Sequence, residues 1–206
     1  MTTNAVSDPS TPVEYFFTAV VGSCGANWGT GYTNSIWQQS TTYSDSGLQT
    51  NKCYGYTLTA RDSASNAGTA SAASVTYTSA TVPGQVTLIS RTPTSITVNN
   101  TENGNPSSNP TTQFAILITS ADTTWNNKYV DASGNPSASA VWRSDAQFDG
   151  ITVLGLQSNT SYTFAVKARN QDNDETSFGS NQTFSSAPPP ETRLQGGVRL
   201  QGVRVR

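Results

Sequence analysis

Gly155-Leu156-Gln157-Ser158-Asn159-Thr160-Ser161-Tyr162 restates an earlier stretch of the same chain, Gly47-Leu48-Gln49-Thr50-Asn51-Lys52-Cys53-Tyr54. The match continues without a gap, with Tyr56, Leu58, Ala60 and Arg61 standing against Phe164, Val166, Ala168 and Arg169. Internal repetition of this kind predicts two copies of one folding unit. In both copies apolar side chains recur at every second residue, the period of a strand with one face turned to a core.

Working outward from the second copy, the same alternation recurs in short runs. Val86 and Leu88 alternate over 85–90, and Ile96 and Val98 over 95–99. Phe114, Ile116 and Ile118 share a face, and after a long connection holding Trp125 and Tyr129 comes 140–143 with Trp142. Ile151 and Val153 lead into Gly155-Leu156, Tyr162 opens the sixth run, and 178–184 forms the seventh. Seven short alternating runs separated by Gly, Pro and Asn predict an antiparallel β-sandwich. Gly155, Leu156, Thr160, Tyr162, Phe164, Val166 and Ala168 stand in the arrangement of a fibronectin type III domain, which this copy resembles. The resemblance implies a tyrosine corner at Tyr162. The Trp usual in the second strand is replaced by Val98, with Trp142 or Trp125 supplying the bulk.

The first copy aligns backwards in the same way. Tyr43 to Leu48 take the place of 151–156, Trp37 answers Trp142, and Trp28 and Tyr32 repeat the spacing of Trp125 and Tyr129. Tyr15, Phe17, Ala19 and Val21 match the run of Phe114, Ile116 and Ile118, and nothing is left for the first two strands. Residues 1–12 offer only Met1, Ala5 and Val6 as apolar side chains, too few for a hairpin. The pattern Val13-Glu14-Tyr15-Phe16-Phe17, with Trp37, Tyr43, Gly47-Leu48 and Arg61-Asp62, resembles a fibronectin-like module of bacterial secreted multidomain proteins. The expected fold is therefore all-β, with tandem fibronectin type III-like sandwiches of which the first lacks two strands. The expected boundaries are an extension at 1–12, an incomplete sandwich at 13–80, a complete one at 81–187, and a spacer with a spare hairpin at 188–206.

That hairpin is read from the tail. Ser186-Ala187 and Pro188-Pro189-Pro190 echo Ser79-Ala80 through Pro83, and Gly196-Gly197 supports a turn. Leu194 precedes the turn; after it Val198 and Leu200, then Val203 and Val205, alternate with polar residues across a bulge at Gly202. An unfilled sandwich exposes strand edges that recruit a strand from elsewhere. The predicted acceptor is Tyr15, Phe17, Trp37, Leu48, Tyr56 and Leu58, and the predicted partner is an identical subunit in a head-to-tail homopolymer. Folding back to close its own first copy is the alternative use of the same tail. Four aliphatic side chains buried at roughly 1.5–2 kcal/mol each give about 6–8 kcal/mol before ordering costs.

Composition narrows the function classes. Of 206 residues 34% are apolar and only 12% charged, which suits sheet with one wet face. The chain carries a formal −2 while residues 191–206, with four Arg and one Glu, carry +3, leaving −5 for the rest. A basic end on an acidic body favours contact between copies over nucleic acid. No run approaches the roughly 20 apolar residues of a membrane-spanning helix.

There is no histidine, so Ser-His-Asp and Cys-His catalysis are excluded. The carboxylates Asp45, Asp62, Asp145 and Asp149 are read as turn residues, and no cofactor or metal is expected. Asp172 to Glu175 hold hard oxygen ligands but lack calcium-loop spacing and are read as a solvated turn. Cys24 and Cys53 fall at adjacent ends of neighbouring antiparallel strands, where a disulfide is reasonable; it implies an extracellular place. Trp28 and Trp125 would serve a glycan-binding module, though their recurrence points to packing. Asn99, Asn159 and Asn181 open glycosylation triplets.

Overall fold

A computed structural model describes residues 11–190. Residues 11–80 contain one antiparallel sheet, β1 (Glu14–Ala19), β2 (Cys53–Arg61) and β3 (Ser74–Tyr77), in the order β1-β2-β3. The remainder builds two sheets. One is β4 (Thr87–Thr92), β5 (Ser95–Asn99) and β9 (Ile151–Val153), in the order β4-β5-β9. The other comprises β6 (Gln113–Ser120), β7 (Lys128–Val130), β8 (Pro136–Ser137), β10 (Ser161–Arg169) and β11 (Gln182–Ser185), in the order β11-β10-β6-β7-β8. Ile96 and Val98 of the smaller sheet and Phe114, Ile116, Tyr162, Phe164 and Val166 of the larger belong to one buried cluster. The alternation read in the sequence thus becomes the packed interior of a sandwich.

Trp125 is fully buried in that interior and donates its indole N–H to the Leu154 carbonyl at 2.9 Å. It supplies the bulk that Val98 does not. Trp142 instead lies half-buried outside, under the Arg169 guanidinium at 4.6 Å.

Several expected strands shift. The first run forms at Thr87–Thr92 rather than 85–90, and a bulge between Leu88 and Ser90 on this edge strand leaves Leu88 40% exposed. Residues 140–143 make a single bridge, Phe114 to Arg143, and no strand. The long connection instead holds the β7–β8 hairpin, and α1 (Asp145–Phe148) follows, capped reciprocally by Ser144 and Gln147. Asp145 is therefore in a helix and not a turn, accepting a bond from Asn100. The last strand begins at Gln182, with Phe178 38% exposed ahead of it.

The two copies share their hydrogen-bond register. Tyr15 faces Ala60 and Phe17 faces Leu58 across β1–β2, as Phe114 faces Ala168 and Ile116 faces Val166 across β6–β10. Cys53 faces Tyr77 as Ser161 faces Ser185. The bridging pair Tyr15 and Gln38 repeats Phe114 and Arg143, which sets Trp37 opposite Trp142 as the alignment expects. Asn51 and Asn159 both adopt positive φ, 46° and 53°, in the turn before the long strand. One expected match moves by a residue: the Thr78 amide bonds the Lys52 carbonyl as that of Ser186 bonds Thr160, so Ser186 answers Thr78 and not Ser79. Alike dipeptides misled the alignment; the ladder decides it.

Candidate functional site

The inner face of the β1-β2-β3 sheet carries Tyr15, Phe17, Tyr54, Tyr56, Leu58 and Ala60, because alternate residues of a strand share a face. Tyr15 and Phe17 are buried, Phe17 stacked on Tyr43 with ring centres 5.6 Å apart. Tyr56, Leu58 and Ala60 are only half-buried, whereas their counterparts Phe164, Val166 and Ala168 are at most 1% exposed. Leu48 is likewise half-buried where Leu156 is 4% exposed. The difference follows the cover. In the second copy β4, β5 and β9 lie over this face; among the described residues no strand is assigned between Ala19 and Cys53, where the counterpart of β9 falls at 43–45.

A cavity of about 340 Å³ opens on this face, lined by Tyr43, Asp45, Leu48, Tyr54, Tyr56 and Thr76 among others. Asp45 stands at the position of the buried Val153, and it is not a turn residue as expected. Its carboxylate accepts bonds from the Tyr56 hydroxyl, from the Thr33 amide at 2.7 Å and from the Thr33 hydroxyl at 2.8 Å. Burial pushes its pKa up, but the bonds from Tyr56 and Thr33 prevail and hold it below the usual carboxylate value. Burial and the same carboxylate push the Tyr56 hydroxyl well above the ordinary tyrosine value. The groove is an aromatic floor with one satisfied negative charge.

The expected acceptor set is thus brought together except for one member. Leu48 and Tyr56 line the cavity, Tyr15 and Phe17 form the floor beneath Tyr43, and Leu58 extends the half-buried strip. Trp37 belongs to the opposite face. It packs on Phe16 at 5.3 Å and under the Arg61 guanidinium at 4.3 Å, as Trp142 packs with Arg169. Gln38, one residue on, exchanges both backbone bonds with the inward-facing Tyr15, and alternation along an extended chain turns Trp37 away from the core. The expected donor residues Leu194, Val198, Leu200, Val203 and Val205 lie outside the described residues.

Cys24 and Cys53 form a disulfide with Cα atoms 6.0 Å apart, as expected. It ties the loop after β1 to the start of β2, beside Tyr54. The Tyr54 hydroxyl accepts from the Gln49 amide at 2.9 Å and donates to the Thr30 carbonyl at 2.7 Å. Tyr162 repeats the corner, accepting from Gln157 and donating to the Asp122 carboxylate, each at 2.8 Å.

Two facing sheets with the strand order β11-β10-β6-β7-β8 over β4-β5-β9, closed by that corner, decide the architecture. The fold is a fibronectin type III-like β-sandwich. Solved structures similar to the chain include the chicken CNTN1 FN1-FN3 domains, at 14% identity and TM-score 0.39, over 85% of this chain. The chain spans 56% of that fragment's length. The fibronectin type-III domain of human fibronectin type III domain containing protein 3 is 17% identical, TM-score 0.38, over 57% of this chain and 94% of the other. No family model matches the sequence, and no curated relative does. No helix among the described residues is long and apolar enough to cross a membrane.

The fibronectin-like second copy also meets the first across a polar seam that the sequence did not reveal. Asn51 donates to the Thr112 hydroxyl at 2.9 Å, and Asn170 donates to the Thr78 carbonyl at 3.3 Å. Asp172 accepts from the Thr76 hydroxyl and from the Tyr77 amide at 2.9 and 2.8 Å. The acidic loop read as a solvated turn is thus divided among tasks: Asp172 caps the edge of β3, Asp174 bonds Asn170, and Glu175 pairs with Lys167. The only sequence signal was polarity, which does not name a partner.

Proposed function

We propose that this protein is a structural subunit of an extracellular filament, assembled when the C-terminal strands of one copy cover the inner face of the β1-β2-β3 sheet of the next. One observation carries the reading. Tyr56, Leu58, Ala60 and Leu48 are half-buried, Tyr56 and Leu48 on the wall of an open cavity, at positions whose counterparts in the same chain are buried in the core with β4, β5 and β9. The incoming strand would pair with 43–45 as β5 pairs with β9, through Ile96 to Val153 and Val98 to Ile151. Val198, Leu200, Val203 and Val205 would enter the core, leaving their intervening arginines near an acidic body. Asp45, already satisfied by three donors, tolerates that burial.

On this reading the boundaries at 13–80 and 81–187 mark an acceptor and a complete module, with 188–206 as spacer and donor. The work is assembly without catalysis or cofactor. The disulfide agrees with an oxidising, extracytoplasmic setting. The rival reading, a glycan-binding or spacer module, has lost half of its tryptophan platform, since Trp125 is fully buried.

Deleting residues 192–206 tests the proposal. The truncated protein is expected to remain folded and monomeric by sedimentation, and the separate tail peptide to bind its first sheet without restoring fibres. Fibres of normal yield from the truncated protein would overturn it.

A further inference from the structure

The seam inside the chain has a tip and a socket. The tip is the turn at Asn51 with Thr78; the socket is the loop end of the second copy, where Asn105, Thr112 and Asn170 are at most 3% exposed. Both copies own a tip, and the first copy has described counterparts of Thr112 and Asn170 in the socket, because the two repeat the same register. The second copy's tip is Asn159 with Ser186: Asn159 has the positive φ of Asn51, and its amide bonds the Ala187 carbonyl as that of Asn51 bonds Ser79. Asn159 is exposed where Asn51 is fully buried.

The first copy's socket stands open. Val13, Ala60 and Asp62 are the counterparts of Thr112, Ala168 and Asn170, and they are half-buried around a cavity of about 370 Å³ that Arg61, Asn66 and Gly68 also line. Among the described residues, one molecule therefore leaves this socket open at one end and Asn159 of its second tip exposed at the other, with Ser186 buried beneath it. The spacer after β11 keeps step: counting from the paired residues Thr78 and Ser186, Leu194 stands where the buried Val86 stands after β3.

We infer that the Asn159 tip of one molecule docks into the Val13–Asp62 socket of another copy, so that the junction between chains repeats the seam within the chain. The inference rests on the tail-exchange reading, which supplies the tether. Repeating one operation without closure gives a filament. The socket also states how firm the junction is. Asp62 lacks the N–H that Asn170 donates to Thr78, Val13 lacks the Thr112 hydroxyl, and Ala64 replaces the Asp172 that caps β3. The side chains behind four hydrogen bonds of the internal seam are missing, so the contact orients subunits while the exchanged strands hold them.

Mixing full-length Val13→Cys with full-length Asn159→Cys under mild oxidation tests this contact. The expected result is an intermolecular disulfide at least tenfold more abundant in assembled material from the mixture than from either variant alone. A second test rebuilds three of those four bonds, Phe184 standing where Thr76 donates the fourth: Val13→Thr, Asp62→Asn and Ala64→Asp together are expected to lower the critical concentration for assembly about tenfold. Polymer that forms without the cross-link and with an unchanged critical concentration overturns this inference and leaves strand exchange standing. Absence of any polymer from the wild-type chain overturns both.

Discussion

Tyr56, Leu58 and Ala60 occupy the same rungs of the same ladder as Phe164, Val166 and Ala168, yet only the second trio is buried. The ladder is therefore not what separates the two copies. Burial of a sheet face comes from what lies across it, and the second copy has β4, β5 and β9 there. The first copy compensates locally: Tyr43 stacks on Phe17, Asp45 anchors Tyr56 to Thr33, and the disulfide ties Cys24 to Cys53. A strand pattern can thus be maintained by ladder, corner and cross-link while its apolar face stays available. The difference between the copies is the feature on which the proposed assembly depends.

The disulfide offers the sharpest way to break this comparison. It closes a 29-residue separation in the first copy alone, and replacing both cysteines by Ala is expected to remove roughly 3–4 kcal/mol there. Amide exchange should rise across β1, β2 and β3 with β6 and β10 unchanged. A uniform rise would mean that the two copies unfold as one unit and that the first has no weakness of its own.

The tyrosine corners sharpen the comparison at intermediate size. Tyr162→Phe removes a buried hydroxyl and leaves the Asp122 carboxylate without that donor, at an expected cost of about 1–3 kcal/mol. Tyr54→Phe strands only the Gln49 amide and Thr30 carbonyl near the surface, and the loss should be smaller in denaturant unfolding. Alkali reads the same groups. Burial, then the bond to Asp122, pushes Tyr162 up to about 12, so the folded chain holds that proton more tightly than the unfolded one. Its stabilisation is complete below pH 10 and is lost as pH rises from 10 toward 12; Tyr162→Phe should flatten that stretch of the unfolding profile.

The smallest effect tests where the copies ought to agree. Trp37 under Arg61 and Trp142 under Arg169 are the same outer-face pair. Arg61→Gln and Arg169→Gln should each cost about 0.5–1 kcal/mol through the lost ring contact, with the Arg61–Glu14 ion pair adding about 0–1 kcal/mol in the first copy alone. A much larger loss at Arg61 would return Trp37 to the acceptor core.

The repeat, the strand alternation and the disulfide pairing were legible from residue order, because each is set by neighbours along a strand or by a fixed offset between paired strands, and the tyrosine corner followed from the resemblance to fibronectin type III domains. Less could be read where distant elements meet. Trp37 carried the same aromatic signal as Tyr15, and only the register with Phe16 and Arg61 turned it outward. Asp45 read as a turn residue until Thr33 and Tyr56 were found around it, and Asp172 as solvated until β3 arrived beside it.

Sequence alone determined that one antiparallel strand pattern recurs within this chain, since period and spacing are local and survive any tertiary arrangement. The tertiary structure decided which apolar face is covered, which carboxylate faces a groove, and which loop caps a neighbouring strand. Those outcomes depend on contacts between residues far apart in the chain, and no local pattern encodes the partner on the other side.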